Sequence, residues 1–174
     1  MSNISVLYSE EDIVRAVKEL GKEITRDYMD KKLLAVCVLK GAFVFAADLV
    51  RRIDGEMRIS FITAKSYEGE YSTGKVSVSD EIGLSNLDLS EWNVLIIEDI
   101  IDTGRTLREL KNKFSEMGAK SVRLAVLLDK PSRRVEEITP DYRCFEIEDR
   151  FVVGYGLDYD ESYRNLPYIG IVSQ

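Results

Sequence analysis

Apolar and polar positions alternate along this chain in two distinct rhythms. Residues 33–39 (Leu-Leu-Ala-Val-Cys-Val-Leu), 94–97 (Val-Leu-Ile-Ile) and 122–128 are almost wholly apolar. Runs of that length and β-branched content predict strands covered on both faces, as in a parallel sheet. Between them the apolar positions recur at helical spacing. Ile13, Val14, Val17, Leu20 and Ile24 give one face of a first helix, for which Ser9 is the N-cap and Glu10, Glu11 and Asp12 sit at the positive end. Residues 43–53 predict a buried helix, and Leu107, Leu110, Phe114 and Met117 mark a third. Residues 57–64 alternate like a strand, residues 143–147 and 151–153 are further strand candidates, and a last apolar run, 168–172, follows Pro167. From 65 to about 90 the pattern loosens, with a polar, glycine-punctuated stretch and a short ribbon candidate at 75–79. Strands alternating with helices predict an α/β fold, a mainly parallel twisted sheet flanked by helices. The 174 residues form one domain by length, with no internal repeat or linker.

The most informative junction follows the 94–97 run. The strand continues into Glu98-Asp99, then Ile100-Ile101, then Asp102-Thr103-Gly104-Arg105-Thr106, and the third helix begins. A strand, a polar loop and a helix start together bind phosphate, because the first N–H groups of a helix lack intrahelical partners and carry the positive end of its dipole. Thr103 and Thr106 add hydroxyl donors, Gly104 lets the backbone approach, and Arg105 adds charge. Asp102 and Thr103 are also ordinary N-cap residue types. Capping does not account for Glu98-Asp99, since ending a buried strand in two carboxylates is costly without partners. A ribose with two hydroxyl groups suits that pair.

Composition narrows the chemistry. There is no histidine, which removes Ser-His-Asp and Cys-His catalysis and histidine-bound zinc. Proton transfer then falls to a carboxylate, Lys, Tyr or Cys, and any metal should be hard and oxygen-bound, such as magnesium. The net charge of −7 argues against general affinity for nucleic acid or an anionic membrane. No secretory signal or membrane-length apolar run is visible, and Cys37 and Cys144 read as buried thiols, so a cytoplasmic protein is expected. No P-loop or dinucleotide fingerprint is present. Asp102-Thr103-Gly104 matches the aspartic-protease triplet, but here it leads into a helix rather than an all-β protein.

The segment from Val94 to Thr106 closely resembles the phosphoribosyl-pyrophosphate-binding motif of type I phosphoribosyltransferases. The surrounding chain, from about residue 9 onward, resembles their 6-oxopurine branch, the hypoxanthine-guanine phosphoribosyltransferases. The resemblance implies a purine-salvage transfer of ribose 5-phosphate from phosphoribosyl pyrophosphate to hypoxanthine or guanine. It also implies magnesium, a small hood formed partly by the C-terminal segment, and a homo-oligomer, dimer or tetramer. It gives the 5-phosphate to the loop 102–106, the ribose hydroxyls and magnesium to Glu98 and Asp99, and the role of general base toward the purine to Asp102. Lys40-Gly41 matches the pyrophosphate turn, with Ala42 where the family usually has a second glycine; in relatives the peptide bond before this lysine can be cis. Ser66-Tyr67 matches the start of a lid.

Lys130 matches the lysine that donates to the oxygen on carbon 6. In the second motif, Phe151-Val152-Val153-Gly154-Tyr155-Gly156-Leu157-Asp158-Tyr159, Phe151 stacks on the purine and the Val152 backbone meets its edge. Asp158 reaches magnesium, and Arg164 binds pyrophosphate. Arg133 and Arg134 read as a solvated basic pair without a role. Two alternatives stay open: an RNA-binding or ligand-sensing regulator on the same fold, and a transferase for xanthine or another base.

Overall fold

The computed structural model describes residues 3–65, 77–79, 84 and 87–173. Five parallel strands form its centre: β2 (Leu33–Leu39), β3 (Met57–Lys65), β5 (Asn93–Ile101), β6 (Ser121–Asp129) and β7 (Tyr142–Glu146). The short strand β4 (Ser77–Ser79) adds antiparallel to β3, giving the order β4-β3-β2-β5-β6-β7. Helices α1 (Glu10–Tyr28) and α2 (Phe43–Val50) cover one face, and α3 (Arg105–Glu116) covers the other.

Double coverage explains the unbroken apolar runs. In β2 the side chains of Ala35 and Cys37 join the α1/α2 core with Phe45 and Leu49, whereas Leu34, Val36 and Val38 join the α3 core with Leu110 and Phe114. Successive strand residues point to opposite faces, and both faces are dry. Each of the fully buried aromatic anchors, Phe45 and Phe114, contributes roughly 2–3 kcal/mol by burial.

Ser9 caps α1 in a reciprocal box: its hydroxyl accepts from the Asp12 N–H at 3.2 Å, while the Asp12 carboxylate accepts from the Ser9 N–H at 3.1 Å. Three sequence expectations change. Val14, assigned to the apolar face of α1, is about half exposed, and Met117 caps α3 with 42% exposure instead of being buried. The helix from residue 43 ends at Val50, and its first residue, Phe43, is 44% exposed.

A separate three-stranded sheet, β1-β9-β8, is built from both ends of the chain: β1 (Asn3–Tyr8), β9 (Ile169–Ser173) and β8 (Val152–Val153). The hood implied by the resemblance is therefore shared with the N-terminal segment, for which no strand was expected. The partners of β1 lie about as far away in sequence as the chain allows (Ile4 opposite Val172), so no local periodicity announces the pairing. Cys37 and Cys144 are free thiols, and burial pushes both up to about 12.

Candidate active site

The strand order reverses direction at β2 and β5. The chain runs from β2 outward to β3, then returns to the other side of β2 and continues through β5, β6 and β7. Loops leaving two such neighbouring strands diverge, which opens a crevice at their carboxyl ends. A cleft of about 250 Å³ lies there, lined from the β2 end by Val38, Leu39 and Gly41 and from the β5 end by residues 98–104, Thr106 and Leu107.

Gly41 sits against the acidic pair. A Cβ at this position would stand 1.8 Å from Asp99 Oδ2, so a side chain here would displace the carboxylate. The following Ala42 has φ −78 and ψ −2, a conformation open to any residue, so the second glycine usual in the family is not needed here. The Leu39–Lys40 peptide bond is cis.

Glu98 and Asp99 are half-buried at the cleft wall. The Glu98 carboxylate accepts from the Asp99 N–H at 3.1 Å, and Asp99 accepts from the Ile100 N–H at 2.8 Å. Desolvation, reinforced by the neighbouring Asp99 charge, holds Glu98 well above the usual carboxylate range. Asp99 is also raised by desolvation, with hydrogen bonds and the Arg164 charge pulling the other way. Among the described residues neither carboxylate forms an ion pair, and only the Arg164 charge is felt at Asp99.

The loop 102–106 is held from outside. Thr103 O accepts from the Val135 and Glu136 N–H groups at 3.0 and 3.2 Å, and Asp102 O accepts from Arg134 Nε at 3.1 Å. Gly104, at φ +86, is the N-cap of α3, and a Cβ on it would meet Ile138 Cγ2 at 2.5 Å. The cap is thus a residue without a side chain, and neither Asp102 nor Thr103 takes it; Thr103 Oγ1 reaches the Arg105 N–H only at 3.5 Å. The helical ladder begins with the Arg108 N–H on Gly104 O, so the first-turn N–H groups of Thr106 and Leu107 have no partner within the helix. The Arg105 side chain is exposed and does not line the cleft; its backbone N–H belongs to the loop.

A second shelf adjoins this cleft. Lys130 follows β6, its N–H bonds to Ile101 O at 3.0 Å, and it is buried to 8% exposure. Its Nζ lies 3.7 Å from Asp149 Oδ1. Phe151 is 53% exposed, a large ring presented rather than packed, and meets Tyr159 edge-on at 5.3 Å between centroids. Val152 is buried, and pairing with Ile171 in the small sheet fixes its backbone.

Arg133 and Arg134 are not the solvated pair the sequence predicts. Arg134 is largely buried, bonded to Asp102 O, to Ile138 O and to the buried carboxylate of Asp129. Arg133 places Nε 3.1 Å from Asp102 Oδ1 and NH1 3.6 Å from Asp149 Oδ2. It therefore links the phosphate-loop carboxylate to the shelf carrying Lys130 and Phe151. Sequence reasoning also missed Asp149, Tyr159 and Glu161. Only Tyr159, in the second motif, carried any signal.

On the far side, Asp158 and Arg164 form an ion pair at 3.0 Å. Arg164 NH1 donates to Gly156 O at 2.8 Å, and its buried Nε has no hydrogen-bond partner among the described residues. Lys40 Nζ meets Glu161 Oε2 at 3.0 Å. Ser66 and Tyr67 lie outside the described residues. Among those described, no group of three metal-ligating side chains is gathered. Two adjacent hard carboxylates, Glu98 and Asp99, nevertheless fit an ion such as magnesium, which takes its other ligands from substrate phosphates and water.

A crevice at the strand reversal, floored by two half-buried carboxylates and closed by a helix start, is the ligand-binding geometry of an open α/β sheet. The chain belongs to the phosphoribosyl transferase domain family, whose model matches residues 3–160. It is 46% identical over 170 residues to the hypoxanthine-guanine phosphoribosyltransferase of Streptococcus thermophilus, covering 97% of this chain and 93% of that one. The structure is similar to a hypoxanthine-guanine phosphoribosyltransferase from Bacillus anthracis, with TM-score 0.90 and 44% identity over 98% of this chain and all of that one. A hypoxanthine phosphoribosyltransferase from Staphylococcus aureus also matches at TM-score 0.90 and 44% identity, covering 97% of this chain and 91% of that one.

Proposed function

We propose that the protein is a purine-salvage transferase that joins hypoxanthine or guanine to ribose 5-phosphate from phosphoribosyl pyrophosphate. The observation that carries this reading is the junction of the carboxylate-floored cleft with a buried lysine and a presented aromatic ring. The bond from a purine ring nitrogen to the anomeric carbon forms as the bond to pyrophosphate breaks. The free N–H groups and hydroxyls of residues 102–106 anchor the 5-phosphate, and Glu98 and Asp99 hold the ribose hydroxyls. Asp102 takes the proton the purine loses, with Arg133 orienting its carboxylate. Phe151 stacks on the base while the Val152 backbone meets its edge. Lys130, buried and a donor only, favours a purine carrying an acceptor oxygen at carbon 6; adenine presents a donor there and leaves the lysine unsatisfied. Lys40 and Arg164 draw charge off the departing pyrophosphate. Glu98 and Asp99, with Asp158, would hold magnesium, which would supply further positive charge to that leaving group.

Among the described residues no helix is long and apolar enough to cross a membrane, and unreactive buried thiols suit a reducing cytoplasm. We also propose a homo-oligomer, dimer or tetramer. Phe43 and Ile59 are each nearly half exposed beside an apolar recess of about 310 Å³ between α2 and the β2/β3 face, which a second subunit would cover.

The test is a spectrophotometric assay with phosphoribosyl pyrophosphate and magnesium. Hypoxanthine, guanine, xanthine, adenine and uracil are offered separately, with a metal-free control. Metal-dependent nucleotide formation with hypoxanthine or guanine is expected. Silence with every base, from protein that still binds phosphoribosyl pyrophosphate, sinks the enzyme reading in favour of a regulator.

A further inference from the structure

Glu161 occupies a position that the reaction does not explain. One of its carboxylate oxygens lies 3.0 Å from Lys40 Nζ and the other 3.4 Å from Arg164 NH2. These are the two cations assigned above to pyrophosphate, and they come from different parts of the fold. Lys40 follows β2 of the central sheet, whereas Arg164 and Glu161 belong to the segment leading to β9. Nothing in helix or strand geometry brings a glutamate there. The turn that carries it has Asp160, Glu161 and Tyr163 all at positive φ (51, 58 and 73), a conformation side-chain-bearing residues seldom adopt. The Glu161 N–H is pinned by Asp158 Oδ2 at 2.9 Å. The backbone is thus committed to presenting this carboxylate across the cation pair.

We propose that Glu161 is an internal stand-in for pyrophosphate, a tethered anion that holds Lys40 and Arg164 together and competes with the diphosphate for them. The proposal rests on the reading that these two residues bind pyrophosphate. A carboxylate with one oxygen toward each cation mimics a pair of non-bridging phosphate oxygens. Incoming diphosphate displaces Glu161, and Glu161 recaptures the cations as pyrophosphate departs. Release then exchanges one anion for another and leaves no bare charges behind. The function of Glu161 is to keep the product from binding too well, which matters where release limits turnover.

Magnesium pyrophosphate titrated calorimetrically into the full-length protein tests this. Glu161→Gln removes the competing charge and is expected to tighten pyrophosphate binding about two- to five-fold, the range an exposed ion pair supports. The gain should shrink when Lys40→Gln is added, because the competitor then has less to hold. Asp160→Asn removes the same charge one residue away, where no contact to either cation exists among the described residues, and should give little change. Unfolding midpoints of each variant confirm an intact fold. Equal tightening in Asp160→Asn would reduce the effect to bulk electrostatics and overturn the proposal. Unchanged or weaker binding in Glu161→Gln, with Lys40→Gln and Arg164→Gln both weakened, would also overturn it while leaving the pyrophosphate reading intact. If neither Lys40→Gln nor Arg164→Gln alters pyrophosphate affinity, that reading itself fails and the proposal falls with it.

Discussion

The two ends of the central sheet carry the same kinds of polar residues and treat them in opposite ways. At the amino ends of β6 and β7, beneath the end of α1, Asp27 accepts from the Tyr142 hydroxyl at 2.7 Å and from Arg123 NH1 at 3.1 Å. Arg123 also donates to Tyr142 Oη at 2.6 Å. Nearby, Asn93 donates to Lys32 O at 3.1 Å and accepts from the Ser121 hydroxyl at 2.8 Å. The Tyr142 hydroxyl, with Arg123 beside it, holds the Asp27 carboxyl below its ordinary value. At the carboxyl ends, Glu98 and Asp99 are raised because burial outweighs what neighbours supply. Carboxylates whose needs are met inside the chain fasten the fold. Those left short are available to a substrate, and the stability they forgo is the cost of the site.

Substitutions at the two ends should separate these roles. The largest effect is expected for Asp102→Asn, which keeps the loop but removes the proposed proton acceptor: turnover should fall by about 10²–10⁴-fold with phosphoribosyl pyrophosphate affinity little changed. Steady-state kinetics beside equilibrium binding checks this, and near-normal turnover removes Asp102 as the base. Next is Lys130→Ala, for which the Michaelis constant for hypoxanthine should rise about 10–100-fold or discrimination against adenine should erode comparably. Unchanged values on both counts return Lys130 to a purely structural place.

Smaller effects should appear in stability, with opposite signs at the two ends. Asp27→Asn should cost about 1–2 kcal/mol in denaturant unfolding and leave activity alone. Because the folded-state value of Asp27 is lowered, the wild-type advantage is present above the ordinary value of 3.8 and disappears as pH falls through the lowered one. Glu98→Gln should stabilise by about 1 kcal/mol at neutral pH while reducing activity. Glu98 is raised when folded, so the native state binds more protons than the unfolded chain above 4.5. Wild-type stability therefore falls, relative to the variant, as pH rises from 4.5 through the raised value. If the two variants move stability in the same direction at pH 7, the contrast between the two ends is wrong.

Much of this architecture is legible in one dimension. The runs at 33–39, 94–97 and 122–128 read as doubly covered strands, and the Ser9 cap and the Leu107, Leu110, Phe114 periodicity mark helices by local chemistry alone. The phosphate loop is equally local, because strand end, loop and helix start are contiguous, and its carboxylates stand out against an apolar background. The resemblance supplied what contiguity could not for Lys40, Lys130, Phe151 and Arg164, which lie far apart in the chain.

What sequence left open was decided by contacts between distant segments. Asp102 and Thr103 looked like caps, yet α3 is capped by Gly104, because Ile138 and Arg134 pack where a side chain would stand. Arg133 looked solvated until the fold set it 3.1 Å from Asp102. The strand β1 had no visible partner until Val172 arrived beside Ile4. Glu161 gave no sign of meeting Lys40 across 121 residues. The sequence by itself determined the sheet, the helices that cover it and the acidic strand–loop–helix junction, since each follows from periodicity or neighbouring residues. The tertiary structure alone decided which distant charges meet, such as Lys40 with Glu161 and Arg133 with Asp102, because those distances are set by loop closure and no local pattern encodes them.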